Sequence, residues 1–142
     1  MVDRMTHAFD LLWQVAQALG GEVHEAAADE GLTPMQVMLL DRIEDDVAVP
    51  MSNLAAQLHC DKSNLTGIVD GLETRGLVER TTPRGDRRVR ALVTTEQGRE
   101  VRGRIGQRLR EDNPLLARLE PDALGEFERL VQQLLTPPRS AP

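Results

Sequence analysis

The chain has 142 residues, a net charge of −6, two Phe, one Trp and no Tyr, so its core must come from Leu, Val, Ile, Ala and Met, which suits helices better than a β-sandwich. No apolar run approaches the roughly 18 residues of a membrane span, and no basic-then-apolar leader opens the sequence. Cys60 is the single cysteine, which excludes an intrachain disulfide, and a cytoplasmic protein is expected.

From Met5 to Ala28, Phe9, Leu12, Trp13, Ala16, Leu19 and Val23 recur at helical spacing, with Gly20-Gly21 as a point of weakness. Thr33-Pro34-Met35-Gln36 predicts a capping box and a second helix with Val37, Met38, Leu40 and Ile43 inward, ending at Glu44-Asp45-Asp46. Ser52 is the expected N-cap of a short helix carrying Leu54, Ala55 and Leu58. Asp61 caps the next, whose Leu65, Ile68, Val69 and Leu72 form one buried stripe before a Gly76 cap. Leu77–Thr82 and Val89–Thr95 alternate as two antiparallel strands around a turn at Pro83–Arg88. Thr94 and Gln97 suggest a second capping box, opening a charged helix to about Asn113 with Val101, Ile105 and Leu109 inward. A last helix starts at Pro121, with Leu124, Phe127, Leu130, Val131, Leu134 and Leu135 on one side, and stops at Pro137-Pro138.

Two short helices joined by a tight turn, then a hairpin with a Gly-Asp-Arg-Arg tip, describe a helix-turn-helix with a basic wing. Such a unit lays one helix in a DNA major groove and its hairpin against the backbone or minor groove. The expected fold class is mainly α, a winged helix-turn-helix with a two-stranded β-wing and amphipathic N- and C-terminal dimerisation helices. We read one domain over 1–142: a DNA-binding lobe at 32–95, dimerisation helices at 1–30 and 96–136, and a disordered tail at 137–142. Dimerisation suits an element that meets half-sites about one DNA turn apart, and it would bury the terminal stripes. The charge map agrees. His59 to Arg110 holds 12 Lys and Arg against 7 Asp and Glu, a net of +5, while the rest of the chain carries −11.

On the outward face of the second helix of the motif stand Lys62, Ser63, Asn64, Thr66, Gly67 and Asp70. Lys62 can neutralise a phosphate, and Ser63, Asn64 and Thr66 can meet base edges or backbone. Gly67 lowers helix propensity by up to about 1 kcal/mol, which close approach to a groove wall would justify. Asp70 can orient a cation or accept from a cytosine amine. In the wing, Arg84, Arg87, Arg88 and Arg90 surround Asp86, with Arg88 and Arg90 on one side of the strand. A solvated helix face and a solubilising arginine tip are the plain alternatives. Arg75 and Arg80 read equally as phosphate ligands or as surface charge.

The run from Leu54-Ala55 through Gly76-Leu77-Val78, with the wing Gly85-Asp86-Arg87-Arg88 leading to Leu92-Val93-Thr94 and Gly98, resembles the MarR (multiple antibiotic resistance regulator) family of winged-helix regulators. The resemblance implies a triangular homodimer held by the first and last two helices, gripping a pseudo-palindromic operator. It implies repression or activation of nearby genes, usually relieved by a small molecule or an oxidant, and a repressor is expected. It also implies that Arg88 enters the minor groove while Asp86 pairs with it, a groove that favours guanidinium where it is narrow and A·T-rich. Gly71 stands where the family often has an Arg, and Cys60 where a small apolar residue is usual. An effector pocket would lie where the dimerisation helices meet the lobe, with Trp13, Met35 and Met38 as its adaptable residues, although core packing explains these three more simply.

Other classes fare worse. Cys60 precedes a helix N-terminus, which lowers thiol pKa and allows a redox-sensing alternative, but a buried inert thiol is the simpler reading. His59-Cys60-Asp61 lacks the spacing of a metal site. No nucleophile-base set or phosphate-binding Gly loop appears, so neither an enzyme nor a cofactor is expected. A winged helix serving only as a protein-interaction module remains the rival from another class.

Overall fold

The computed structural model describes residues 3–137, in two compact units that divide after Glu111. In the first unit α1 (Arg4–Asp29) runs without interruption through Gly20-Gly21, where an added Cβ would meet nothing within 4 Å. Helix length and exposure outweigh the propensity cost there. Ala26 and Ala27, near its C-terminus, are its buried residues, whereas Phe9, Leu12, Trp13 and Leu19 are exposed. The stripe is real, but nothing in the unit covers its N-terminal half.

Gly31, at φ 66°, turns the chain out of α1 while Leu32 N–H donates to Ala27 O. The expected capping box then opens α2 (Pro34–Asp41): Gln36 N–H donates to Thr33 Oγ1 and Thr33 N–H to Gln36 Oε1. Leu39 is buried alongside Val37 and Leu40, and Met38 turns outward instead of joining the core.

The sheet has three strands rather than two, in the order β1 (Val49–Pro50), β3 (Ala91–Thr94), β2 (Val78–Thr81). Val49 pairs with Leu92 and Arg80 with Leu92 from the other side. A two-residue strand containing Pro leaves no periodic signal, and Pro is tolerated because the strand lies at an edge. β1 runs straight into α3 (Met51–Gln57), so Pro50 is the N-cap and Ser52 sits inside the first turn instead of capping it. His59, at φ 51°, and Cys60 N–H donating to Ala55 O make the tight turn into α4 (Lys62–Thr74).

Thr95, not Thr94, caps α5 (Glu96–Gly106). Its hydroxyl accepts from Gly98 N–H and donates to Gly76 O, while Thr94 ends the strand, buried. Gly98 has no room for a side chain: a Cβ would lie 2.0 Å from Leu77 O. Instead of continuing to Asn113, α5 passes into a widened π turn at Gln107–Glu111. From it Arg108 reaches Glu25 and Asp29 on α1, and Arg110 reaches Asp41 at the end of α2. The core gathers the inner faces of all five helices on the sheet, with Leu39, Leu54, Leu65, Leu72, Leu77 and Leu92 fully enclosed.

In the second unit Asn113 Oδ1 accepts from the Leu115 and Leu116 N–H groups, a short 3₁₀ turn follows at Leu116–Arg118, and Pro121 opens α6 (Pro121–Leu135). Leu124 and Val131 are half-buried, but Phe127, Leu130, Leu134 and Leu135 of the expected inward stripe are exposed. Most of the expected tail, residues 138–142, lies outside the described residues.

Candidate nucleic-acid interface

Burial of Leu65, Val69 and Leu72 turns Lys62, Ser63, Asn64, Thr66, Gly67 and Asp70 outward, all exposed as the spacing predicts. Asp61 organises the first turn. Its Oδ1 accepts from Asn64 N–H and from the Ser63 hydroxyl, both at 2.8 Å, and its Oδ2 from the Asn64 amide at 3.3 Å. The Asn64 N–H, followed by the Ser63 hydroxyl, holds the Asp61 carboxyl below the usual aspartate range. Thr66 Oγ1 donates back to Lys62 O at 2.8 Å.

Between α3, α4 and the wing lies an open groove of about 880 Å³, whose lining includes Ser52, Lys62, Thr66, Arg80, Arg88 and Arg90. Arg88 and Arg90 share one side, as alternation predicts. The wing turns at Gly85, at φ 100°. Asp86 does not pair with the Arg88 guanidinium: its Oδ1 accepts from Arg88 backbone N–H at 2.9 Å. At two residues' separation in a tight turn the N–H is the nearer donor. Asp86 therefore fixes the loop and leaves the guanidinium unpaired.

The structure sorts the twelve cations between His59 and Arg110 into two sets. Arg80 lies between Asp70 and Glu73, so Asp70 orients a cation within its own chain. The hydrogen bond that Arg80 donates to Asp70 raises its pKa above the ordinary value. Arg75 donates to the Gly31 and Glu30 carbonyls, and is neither a phosphate ligand nor a loose surface charge. Arg99 and Arg102 face Asp46 and Asp45, and Arg104 forms a bidentate pair with Glu30, both contacts at 2.8 Å. With Arg108 and Arg110, that makes seven arginines tied internally. Among the described residues, Lys62, Arg84, Arg87, Arg88 and Arg90 have no acidic partner, and all five belong to α4 or the wing.

Gly71 has a local reason to be glycine, since a Cβ would lie 2.3 Å from Gln36 Nε2. Gly67 has none within the chain; a Cβ there would meet nothing within 4 Å. Sequence reading missed the α3 wall of the groove, Met51, Ser52 and Ala55, because Ser52 looked like a cap. Cys60 is half-buried against the core, and His59 is exposed. Among the described residues no three His, Cys, Asp or Glu side chains converge on a metal position.

The three residues read as an effector pocket are not brought together. Trp13 is 57% exposed and stacks on Phe9 at 6.3 Å, and Met35 packs half-buried on the core. Met38 alone lines a cavity of about 150 Å³, with Val23, Val37, Leu40, Ile105 and Leu109 among its walls. Trp13 lies ten residues before Val23, about 15 Å along the helix.

The sequence model of the MarR family matches residues 32–89. A protein named as a transcriptional regulatory protein for the hcr operon of Thauera aromatica is 33% identical over 106 residues, 74% of this chain and 64% of its own length. The HTH-type transcriptional repressor MdtR of Bacillus subtilis (strain 168) is 30% identical over 82 residues, 58% of this chain and 53% of its own. The chain thus spans less than two thirds of both relatives. Wild-type MarR of E. coli, in its apo crystal structure, superposes with a TM-score of 0.78 at 22% identity over 96% of this chain and 99% of its own. A mutant of that protein complexed with operator DNA gives 0.72 at 22% identity over 95% and 100%.

Proposed function

We propose that the chain, whose residues 32–89 match the model of the MarR family, is a member of that family and a transcriptional repressor that grips a pseudo-palindromic DNA operator as a homodimer. One observation carries this reading: of the twelve cations between His59 and Arg110, the five left unpaired, Lys62, Arg84, Arg87, Arg88 and Arg90, all lie on α4 or the wing, and three of them line the groove between the two. Unpaired cations around a helix of groove-reading size are an electrostatic footprint for phosphate. A repressor's name on one relative and operator DNA bound to a structural neighbour point the same way.

Residues 32–95 serve as the DNA-binding lobe, while 1–30 and 96–136 supply the dimer contacts. Exposed apolar residues support the second assignment: Phe9 is 61% exposed and Leu134 70%. Such a stripe calls for a partner, and a second copy of this chain supplies the two-fold symmetry that a palindrome needs. The cavity beside Met38 is where a small effector would act, by preferring one dimer geometry to another.

The test is an anisotropy titration against the DNA upstream of the protein's own gene, with a scrambled duplex as competitor, at two salt concentrations. Tight, selective and salt-sensitive binding by a dimer is expected. Absence of binding at low salt to either duplex refutes the proposal.

A further inference from the structure

Resting on that reading, we propose that the outward line of α4 reads DNA as a hydrogen-bond acceptor and methyl surface, with Thr66 specifying an A·T pair through the thymine methyl and Ser63 accepting from an exocyclic amine. Ser63, Thr66, Gly67 and Asp70 lie opposite the buried Leu65, Val69 and Leu72 and form the part of the helix aimed away from the core. A hydroxyl has one proton to donate and two lone pairs to accept with. Ser63 gives its proton to Asp61 Oδ1, Thr66 to Lys62 O, and Thr74, one turn beyond Asp70, to Asp70 O. Every hydroxyl on this line has committed its proton inside the chain. What remains toward the groove is lone pairs, joined by the Asp70 carboxylate.

The bases differ in their fit to such a surface. Adenine offers its N6 amine and cytosine its N4 amine to the major groove, guanine offers only the acceptors N7 and O6, and thymine alone offers a methyl group. The commonest guanine reader is an arginine or lysine, and none stands on this line. Lys62, Arg88 and Arg90 line the same groove as Thr66, where the proposed reading sets them on phosphate, and Arg80 is held between Asp70 and Glu73. Thr66, with its hydroxyl turned onto its own helix, has its methyl left for the groove it lines. Gly67 leaves the neighbouring backbone open, with nothing within 4 Å of a Cβ position, so a base-pair edge can approach closely.

The experiment is selection from a randomised duplex pool by the full chain. It is followed by titration of the selected duplex with uracil in place of thymine, against wild type and Thr66→Ser, which keeps the hydroxyl and removes the methyl. Half-sites with an A·T pair facing Thr66 are expected, and uracil facing Thr66 in both half-sites should weaken wild-type binding by the dimer about fifteenfold, which is about fourfold for each buried methyl. T66S should show that loss on the thymine duplex and none on the uracil duplex. Enriched half-sites with a G·C pair at the position that changes in T66S overturn the assignment alone, as does an equal uracil penalty in wild type and T66S. No enrichment of any sequence overturns the operator-binding reading, and this assignment with it.

Discussion

Replacing Arg88 by Ala should flatten the salt dependence of DNA binding by a calculable amount. On α4 and the wing each protomer presents five cations without acidic partners, so a dimer engaging all of them neutralises ten phosphates. Counterion release then gives a slope of log K against log salt of about −9. The substitution removes one cation per protomer and two per dimer, which brings the slope to about −7. Between 50 and 200 mM salt, wild-type affinity should fall by about 10⁵, and the variant's by roughly twelvefold less. Arg102→Ala is the control: its guanidinium serves Ile43 O and Asp45, so the slope should not move. The assay is fluorescence anisotropy over a salt series, with circular dichroism to establish that both variants remain folded. A folded R88A protein with the wild-type slope would refute the assignment of Arg88 to the nucleic-acid face, and an equal change in R102A would refute the division of the arginines into two sets.

Other consequences concern the scaffold. Gly98→Ala places a methyl 2.0 Å from Leu77 O and 2.8 Å from Thr94 Cγ2. The backbone must move, so a loss of about 3 kcal/mol or more is expected by chemical denaturation, and an unchanged midpoint would contradict the packing. Thr95→Ala removes both the α5 cap and the hydrogen bond to Gly76 O, with an expected cost of about 1–2 kcal/mol in the same measurement. The hydrogen bonds from Arg104 hold the Glu30 carboxyl below its ordinary value. Because the folded pKa is the lower one, this contribution to stability is full above about pH 4.3 and fades as pH falls through the folded value. Glu30→Gln should therefore lose stability at neutral pH and show a shallower acid-side decline than wild type. Parallel acid limbs in the two proteins would show that the pair carries no such linkage.

How much of this was legible in the sequence depended on whether a signal was local and periodic. The stripe Leu65, Ile68, Val69, Leu72 and the Thr33–Gln36 capping box both lie within two turns of helix, and both formed as read. β1 was invisible because two residues, one of them Pro, have no period; its pairing with β3 is a long-range event. Missing it misplaced the start of α3 and turned Ser52 from a groove wall into a cap. Thr94 and Thr95 differ by one position, and only the strand register decides which is buried and which caps. Arg80 and Arg75 could not be told from phosphate ligands, because their partners, Asp70 with Glu73 and the Glu30–Gly31 carbonyls, are set by tertiary approach. Trp13 was expected to pack, since helical spacing reports a face to be covered and says nothing of whether the cover comes from the same chain.

The acidic balance of the chain and its reading as a DNA binder are reconciled by that same sorting of charge. Seven arginines spend their charge on carboxylates and carbonyls of α1, α2, α4 and the loops between them, and the acids they neutralise account for much of the surplus negative charge in the first half of the sequence. Those contacts are mostly exposed, so each contributes little to stability and is screened by salt. Their larger effect is exclusion, because a guanidinium already held by a carboxylate offers phosphate little net charge. Of the twelve cations between His59 and Arg110, those left to attract DNA lie along α4 and the wing. The rest of the chain, at −11 once those five cations are set aside, opposes attachment elsewhere. Specific binding therefore does not require a basic protein; it requires that the unpaired cations share one face.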